Sequence, residues 1–262
     1  MPEGDSVHTH AQRIRENMQG RPLVRISGTE PSVRRQAERI RGSEISQVAA
    51  VGKHLLVDFD RGWTLRVHLG MTGHWRFGPR SSLRSDGPAR VVLETAGWSA
   101  RCFRAPTVQV GRTPAIWELI EHLGPDLLDD PPDIAGALTR ARQGDQSRGI
   151  SDLLLDQRIA AGIGNVYRNE VLFEAGVHPE HPVGNLSDER ITWMFTRAAD
   201  QMRRNVGRQS RTTTGTRRRG AETFVYGRAG HRCRRCGTQV HVGESTDLNR
   251  VTYWCPGCQP SA

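Results

Sequence analysis

The apolar side chains of this chain follow two different periods, one in each half of the sequence. Over residues 21–111 they alternate with polar side chains in short runs, for example HLLVDF at 54–59 and TLRVHLG at 64–70. A period of two places apolar side chains on one face of a β-strand. Glycines and the turn-rich segment SSLRSDGP at 81–88 separate the runs. The pattern predicts an all-β half formed by two antiparallel sheets packed as a sandwich.

Helical spacing of the apolar positions precedes this stretch and returns after about residue 112. We expect a first helix from Ser6 to Met18, with Asp5 or Ser6 as its N-cap and Gly20 just beyond its end. A period of 3.6 residues predicts the later helices. These are AIWELIEHLG at 115–124, PDIAGALTRA at 132–141, about 150–160, 165–175, and Asp188 to about Asn205.

These elements predict the fold class α+β with three domains. Residues 1–111 are expected to form the β-sandwich with flanking helices and residues 112–222 a helical domain with a linker. Residues 223–262 are expected to form a small cysteine-containing module, a β-ribbon zinc finger. Within the second domain, RQSRTTTGTRRRGAE at 208–222 is polar and has no periodicity, so we expect a mobile loop there.

The positive charge of the chain is concentrated in its last quarter. The sequence has 36 Arg, one Lys and 28 acidic residues. Residues 1–200 contain 25 basic and 25 acidic side chains, whereas residues 201–262 contain 12 and 3, a net charge of +9. Basic side chains that neutralise phosphates release counterions, which favours binding to a polyanion. The alternative is an Arg-rich composition with a solvated tail.

The sequence shows no targeting segment. No run approaches the roughly eighteen apolar residues of a membrane-spanning helix. The first ten residues, MPEGDSVHTH, lack the basic and apolar regions of a signal peptide. We therefore expect a cytoplasmic location.

Four of the five cysteines form two CxxC pairs, Cys233 with Cys236 and Cys255 with Cys258. Two such turns separated by 18 residues are typical of a zinc ribbon, in which four thiolates bind one tetrahedral ion. Because Cys fills all four positions, the Zn²⁺ would stabilise the fold and leave no open position for catalysis. Two disulfides are the alternative, which an intracellular location disfavours. The fifth cysteine, Cys102, is expected to be a buried apolar residue.

The N-terminus offers a candidate nucleophile. Met1 precedes the small residue Pro2, and its removal would leave a secondary amine. The pKa of an α-amino group is about 7.7–8.0 and that of Lys about 10.4, so far more of the former is neutral near pH 7.5. Because only a neutral amine attacks a carbonyl carbon, Pro2 is a candidate Schiff-base nucleophile, with Glu3 as general acid and base.

Two further features are candidates for functional sites, although chance could also leave a single lysine in the chain. Lys53 is the one lysine among 37 basic residues, and its compact ammonium differs from the broad guanidinium of arginine. The expected helix–turn–helix unit contains Gly162 and Gly164, which Asn165 follows. Backbone N–H groups of such a turn and a helix N-terminus can hold a phosphate, although glycine-rich turns also connect packed helices without binding anything.

Six short motifs occur along nearly the whole chain. They are PEGD at 2–5, GKHLL at 52–56, HLGMTG at 68–73, LLLDQRIAAGIGN at 153–165, VYGRAG at 225–230, and the CRRC and YWCPGC of the cysteine pairs. In this order and spacing they resemble the Fpg/Nei family of bacterial DNA glycosylases, the formamidopyrimidine-DNA glycosylase and endonuclease VIII group. The resemblance implies a nucleoid-associated monomer whose β-sandwich, helix-two-turn-helix domain and zinc finger bind damaged double-stranded DNA.

The resemblance also implies a bifunctional DNA glycosylase and abasic-site lyase of base-excision repair. On the matching positions, Pro2 would attack C1′ of the damaged nucleotide, expel the oxidised base and form an imine, with Glu3 as acid and base. β- and δ-elimination would then cut the strand on both sides of the lost base. Lys53 would contact a phosphate beside the lesion and assist catalysis.

The matching positions imply the DNA contacts as well. Asn165 and Arg250 would hold backbone phosphates, and His68 would make a further phosphate contact. Because the damaged base must leave the helix before excision, a side chain has to fill the space it leaves. Met71 is the candidate for this wedge, since its flexible thioether fills irregular gaps; an ordinary core methionine is the alternative.

One departure from the family pattern bears on the substrate. The branch that cleaves 8-oxoguanine has an Arg and a Phe in a DPRRFG stretch, whereas the nearest sequence here is SARCFRAP at 99–106. The sequence therefore favours the endonuclease VIII branch, which acts on oxidised pyrimidines. A glycosylase specific for 8-oxoguanine or formamidopyrimidine, a catalytically inactive DNA-binding paralogue and an Arg-rich RNA-binding zinc module remain alternatives.

Overall fold

The computed structural model describes residues 1–81, 87–245 and 250–261. Most of the turn-rich segment 81–88 therefore lies outside the described residues. The chain divides into two compact units, Met1–His122 and Leu123–Ala262. Within the described ranges, no helix is both long enough and apolar enough to cross a membrane. The division into three domains remains a prediction.

Two four-stranded antiparallel sheets form the first unit. The described strands are β1 Arg25–Ser27, β2 Ile45–Val51, β3 His54–Phe59, β4 Trp63–His68, β5 His74–Pro79, β6 Val91–Glu94, β7 Trp98–Phe103 and β8 Thr107–Arg112. One sheet has the strand order β1-β6-β7-β5 and the other the order β2-β3-β4-β8. All neighbouring strands are antiparallel, which confirms the predicted β-sandwich.

The alternation of side chains explains how the two sheets pack. Leu55 of β3 pairs with Val67 of β4, and both belong to a buried core that also contains Leu93 and Ala100 of the other sheet. Burial of apolar surface contributes about 25 cal/mol per Å². Residues between the buried positions, such as Arg66, face away from this core. The other face of the β2-β3-β4-β8 sheet carries Arg66 beside the buried Leu56.

Helices α1 Gly4–Met18, α2 Pro31–Ile40 and α3 Thr113–Glu118 accompany the sandwich. Helix α1 begins two residues before the predicted Ser6, because Glu3 takes the extended N-cap position. Helix α2 shows that the prediction of an all-β stretch over 21–111 was wrong. Pro31 is in its first turn, and Val33 and Ile40 are buried on one side.

The second unit begins with helices and ends with a two-stranded antiparallel ribbon. Its described elements are α4 Ile134–Gln143, α5 Ile150–Leu155, α6 Asn165–Ala175, α7 Asp188–Asn205, β9 His241–Ser245 and β10 Arg250–Trp254. Helix α5 is shorter than the predicted 150–160, because Asp156 is extended and its carboxylate accepts the N–H of Arg158 at 3.0 Å. Helix α3 likewise ends at Glu118 instead of near residue 124. The α+β class and the ribbon are confirmed.

Candidate functional site

The first residues of the chain lie at the N-terminal end of α1. Glu3 is fully buried, and its backbone carbonyl oxygen accepts hydrogen bonds from the N–H groups of Ser6 (3.0 Å) and Val7 (3.2 Å). Pro2 is partly buried, and Met1 is exposed. Because Glu3 caps the helix, folding of α1 fixes the backbone next to Pro2. The structure therefore places the candidate nucleophile directly before a buried carboxyl-bearing residue.

Lys53 lies in the turn between β2 and β3, near two histidines from neighbouring strands. His54 of β3 and His68 of β4 pair across the sheet, and their ring centres are 4.9 Å apart. Burial lowers the pKa of His54 to about 3, with His68 and Arg66 adding to the effect. Burial, followed by the charge of Lys53, also lowers the pKa of His68. Both rings are therefore neutral near pH 7.

Met71 lies at the tip of the turn between β4 and β5, with 65% of its surface exposed. The turn requires its glycines, because Gly70 has a φ of +58° and a Cβ on Gly73 would come within 2.3 Å of the Leu69 carbonyl oxygen. A tight turn thus presents an apolar side chain to its surroundings. This exposure argues against the alternative of a core methionine.

Gln157 organises the glycine-rich turn between α5 and α6. Its Nε2 donates hydrogen bonds to the carbonyl oxygens of Leu155 (2.8 Å) and Ile163 (3.0 Å), and its Oε1 accepts the N–H of Gly162 (3.1 Å). Gly162 has a φ of +107°, a conformation that other residues rarely adopt. Asn165 begins α6 and is only 8% exposed. The turn is therefore a fixed structure that ends in a helix N-terminus.

Side-chain amides of α6 connect this turn to the ribbon. Nδ2 of Asn165 donates to the carbonyl oxygen of Val251 (2.9 Å), and Oδ1 of Asn169 accepts the N–H of Tyr253 (2.7 Å). Arg250 is the first residue of β10 and is exposed. The structure thus brings Asn165 and Arg250 onto adjoining elements, although the Asn165 side chain bonds within the protein. Their contacts with DNA remain predictions.

The four cysteines of the two CxxC pairs come together at the ribbon. Their sulfur atoms all lie within 4.8 Å of one another. Cys233 and Cys258 are 3.9 Å apart, and Cys236 and Cys255 are 3.4 Å apart. These separations exceed a disulfide bond of about 2.05 Å, but they suit a tetrahedral metal site, in which Zn–S bonds of about 2.3 Å place the sulfurs about 3.8 Å apart. The cluster therefore fits a metal ion and argues against the disulfide alternative.

A buried carboxylate that the sequence analysis did not identify holds the VYGRAG motif. Glu170 of α6 accepts the backbone N–H groups of Phe224 (2.7 Å), Val225 (2.8 Å) and Tyr226 (2.8 Å), and the hydroxyl of Thr213. Burial raises the pKa of Glu170, and these donors oppose the shift. An acidic residue among the apolar residues of a helix is the sequence signal that could have indicated a buried partner.

The expected loop at 208–222 contains no helix or strand, and its mobility remains a prediction. Asn205, the last residue of α7, holds one end of it. Its Nδ2 donates to the Thr212 carbonyl oxygen (2.8 Å), and its Oδ1 accepts the Thr212 N–H (3.0 Å). The loop therefore has a defined path at the point where it leaves the helix.

This loop and the end of α7 line a cavity of about 850 Å³. Arg204, Arg208 and Arg217 give the cavity positive charge, and several threonines add hydroxyl groups. Gln201, in the wall of the cavity, is 2% exposed, and neither its amide oxygen nor its nitrogen has a hydrogen-bond partner within the described residues. Leaving a buried polar group unpaired costs about 1–3 kcal/mol. The buried amide of Gln201 is therefore a polar group in the cavity wall whose partner the described residues do not provide.

Two family models match the chain, one in each compact unit. Residues 1–106 match the formamidopyrimidine-DNA glycosylase N-terminal domain. Residues 123–217 match the formamidopyrimidine-DNA glycosylase H2TH domain. Together the two matches extend over both the sandwich and the helices that hold the candidate residues.

Similar proteins match this chain over nearly its whole length. The "Probable endonuclease 8 2" of Streptomyces coelicolor is 41% identical over 264 residues, which covers 99% of this chain and 94% of that protein. The "DNA-(apurinic or apyrimidinic site) lyase Nei2" of Mycolicibacterium smegmatis is 38% identical and is covered over 100% of both chains. A solved complex between the Lactococcus lactis Fpg and an abasic site containing DNA has a TM-score of 0.82 at 23% identity, covering 99% of this chain and 100% of that chain. This last likeness shows that the fold is shared.

Proposed function

The chain belongs to the Fpg/Nei family of DNA glycosylases and abasic-site lyases, and from this premise we propose that it excises oxidised pyrimidines from DNA by an N-terminal proline nucleophile. Its relatives named as a probable endonuclease 8 and as a DNA-(apurinic or apyrimidinic site) lyase support this activity. The observation that carries the proposal is the position of Pro2 immediately before the buried N-cap residue Glu3.

In the proposed reaction, the Pro2 nitrogen, freed by removal of Met1, forms a bond to C1′ of the damaged nucleotide. The bond between C1′ and the base breaks, and the base leaves with the proton that the Pro2 nitrogen gives up. Glu3 donates a proton to the sugar ring oxygen as the ring opens, which leaves an iminium ion between Pro2 and C1′. The iminium makes the C2′ proton acidic. Loss of that proton expels the 3′ phosphate, loss of a second sugar proton expels the 5′ phosphate, and water hydrolyses the iminium to release Pro2.

Side chains from both units are proposed to hold the DNA. The ammonium of Lys53 and the neutral ring of His68 would donate to phosphate oxygens beside the lesion. Arg250 and the helix N-terminus at Asn165 would bind phosphates further along the backbone. Met71, exposed on its turn, would enter the space that the extruded base leaves.

Zn²⁺ is the metal that we propose for the cysteine cluster, because four thiolates in a tetrahedral arrangement suit this ion. Cys233, Cys236, Cys255 and Cys258 would hold it. The bound ion would supply structural stability to the ribbon and take no part in the reaction, since all its coordination positions would be occupied by protein.

Borohydride trapping tests the nucleophile. Reduction during reaction with a duplex that contains an abasic site is expected to give a covalent protein–DNA adduct, because borohydride converts the imine into a stable amine. Mass spectrometry of the adduct should place DNA on Pro2. The intact mass of the protein should also show that Met1 is absent.

The matched control is a chain with an uncleaved N-terminal extension, in which the Pro2 nitrogen is part of an amide and cannot react. This chain should bind the duplex and give no adduct. Absence of an adduct from the parent protein, with DNA binding retained, would favour the inactive DNA-binding paralogue. An adduct on Lys53 would show that the nucleophile is Lys53 and not Pro2.

The cavity at Gln201 is our candidate site for the extruded base. An amide side chain presents one donor and one acceptor, which match the edge of an oxidised pyrimidine. We expect the parent protein to excise thymine glycol and 5-hydroxycytosine faster than 8-oxoguanine. In Gln201→Leu, excision of thymine glycol should fall about tenfold, as expected from about 1.4 kcal/mol of lost recognition. Single-turnover excision rates on the three duplexes provide the measurement.

An abasic-site duplex is the control for Gln201→Leu, because it contains no base to recognise. Incision of this duplex should remain within about twofold of the parent rate. Equal losses on both duplexes would show that the substitution acts on the fold or on DNA binding, and that the cavity does not select the base. Preferential excision of 8-oxoguanine would contradict the proposed lesion class.

A further inference from the structure

The face of the β2-β3-β4-β8 sheet that carries His68 also carries other polar side chains. Arg66 lies two residues before His68 on β4 and therefore projects from the same face. Arg66 pairs across the sheet with Gln109 of β8, and His68 pairs with His54 of β3. These four side chains form one polar group near Lys53, whose charge acts on both histidine rings.

Two uncharged acceptors hold the guanidinium of Arg66. Its Nε donates to Nδ1 of His54 (3.2 Å), and its Nη1 donates to Oε1 of Gln109 (3.0 Å). Its Nη2 has no hydrogen bond to the residues that the structure describes. Because neither partner is a carboxylate, no ion pair within the described residues neutralises the positive charge of Arg66. One edge of the guanidinium fork is left to bind an acceptor outside the protein.

The protonation state of His54 maintains the hydrogen bond from Arg66 at neutral pH. Nδ1 can accept a hydrogen bond only when it carries no proton, which puts the proton of the neutral ring on Nε2. Burial, followed by the neighbouring His68 and Arg66, lowers the pKa of His54 to about 3. The ring therefore remains an acceptor for Arg66 at neutral pH.

We propose that Arg66 is a further phosphate-binding residue, and that His54 and Gln109 are positioning residues that aim its free edge at the DNA strand held by Lys53 and His68. A guanidinium fork binds phosphate oxygens with defined geometry. Fixing it in advance reduces the side-chain entropy lost on binding. The inference rests on the proposed function, since the phosphate is that of bound DNA.

The salt dependence of DNA affinity tests the proposal. The probe is a duplex with a tetrahydrofuran abasic-site analogue, which the protein cannot cleave. Arg66→Leu should weaken binding about tenfold at low salt and reduce the slope of log K against log salt by about 0.9, the value for one phosphate contact. Arg35→Leu, which removes an exposed charge from α2 of the same unit, should leave the slope unchanged.

Two variants of His54 distinguish the role of its acceptor atom from the role of its ring. His54→Phe keeps a ring beside His68 but removes the acceptor, and should lose a large part of the same slope. His54→Asn offers an oxygen close to the place of Nδ1, and should restore the parental slope. Thermal melting shows whether each variant folds, and if Arg66→Leu does not, the His54 pair decides the question.

An unchanged slope in folded Arg66→Leu would overturn the proposal, as would equal slopes in His54→Phe and His54→Asn. Borohydride trapping of the parent protein on abasic DNA runs alongside. A parent protein without an adduct but with an Arg66-dependent slope would contradict the proposed catalysis and leave the phosphate contact standing. A parent protein that gives an adduct, with an unchanged slope in Arg66→Leu, would support the proposed catalysis and contradict the phosphate contact of Arg66.

Discussion

Glu3→Gln is expected to remove base excision and leave DNA binding intact. At the N-cap, the backbone N–H groups of Ser6 and Val7 donate to the backbone carbonyl oxygen of Glu3. The variant keeps this oxygen, so the helix end should be preserved. Glutamine has the size of glutamate but does not exchange a proton near neutral pH. General acid and base groups contribute about 10²–10⁴-fold, so single-turnover excision of thymine glycol should fall by at least about a hundredfold. The Kd for a duplex with an uncleavable abasic analogue should change less than about threefold.

Asp5→Asn is the matched control for Glu3→Gln, because Asp5 is also a buried carboxyl-bearing residue in the first turn of α1. Its neutralisation should affect excision far less, since the proposed reaction assigns Asp5 no proton transfer. Strong excision by Glu3→Gln would contradict the assigned role of Glu3. Equal losses in the two variants would indicate that the substitutions disturb the helix end and not a specific proton donor.

The strands of the sandwich could be predicted because each buries one face. In β4, Leu65 and Val67 enter the core while Arg66 faces away, which is the alternation visible in TLRVHLG. Helix α2 was missed although its apolar positions have helical spacing. Val33 and Ile40 are buried seven residues apart and Ala37 between them is partly buried, but this short run lies inside a stretch rich in strands.

In the candidate site, features set by short motifs could be predicted, whereas contacts between residues far apart in the sequence could not. The spacing of the cysteines predicted a metal cluster from short motifs, and the structure brings the four sulfurs together. The partners of Arg66 and Glu170 were not predicted. Gln109 lies 43 residues from Arg66, and Phe224 lies 54 residues from Glu170. Contacts at such separations depend on strand register and helix packing, which no local pattern specifies.

Cys258→Ala is expected to abolish zinc binding and DNA binding together. Cys233 and Cys255 belong to a small buried cluster with Phe173, Val225 and Val240. So small a core cannot offset the entropy of ordering the ribbon without the metal, whose binding is worth about 10–16 kcal/mol in zinc-finger peptides. Unfolding of the ribbon would displace Arg250 and weaken DNA binding at least about tenfold, or about 1.4 kcal/mol. Zinc content per chain and the Kd for duplex DNA are the measurements.

Cys102→Ala is the control, because it removes the one cysteine outside the cluster. Burial raises the pKa of the Cys102 thiol to about 12, so this side chain is neither a thiolate nor a metal ligand near neutral pH. The Cys102→Ala protein should bind one zinc ion and retain its DNA affinity, while the sandwich loses some stability through a small cavity. A Cys258→Ala protein that kept a folded ribbon and bound DNA like its parent would contradict the structural role of the metal. Loss of zinc without loss of DNA affinity would instead show that Arg250 does not depend on the ribbon for its contact.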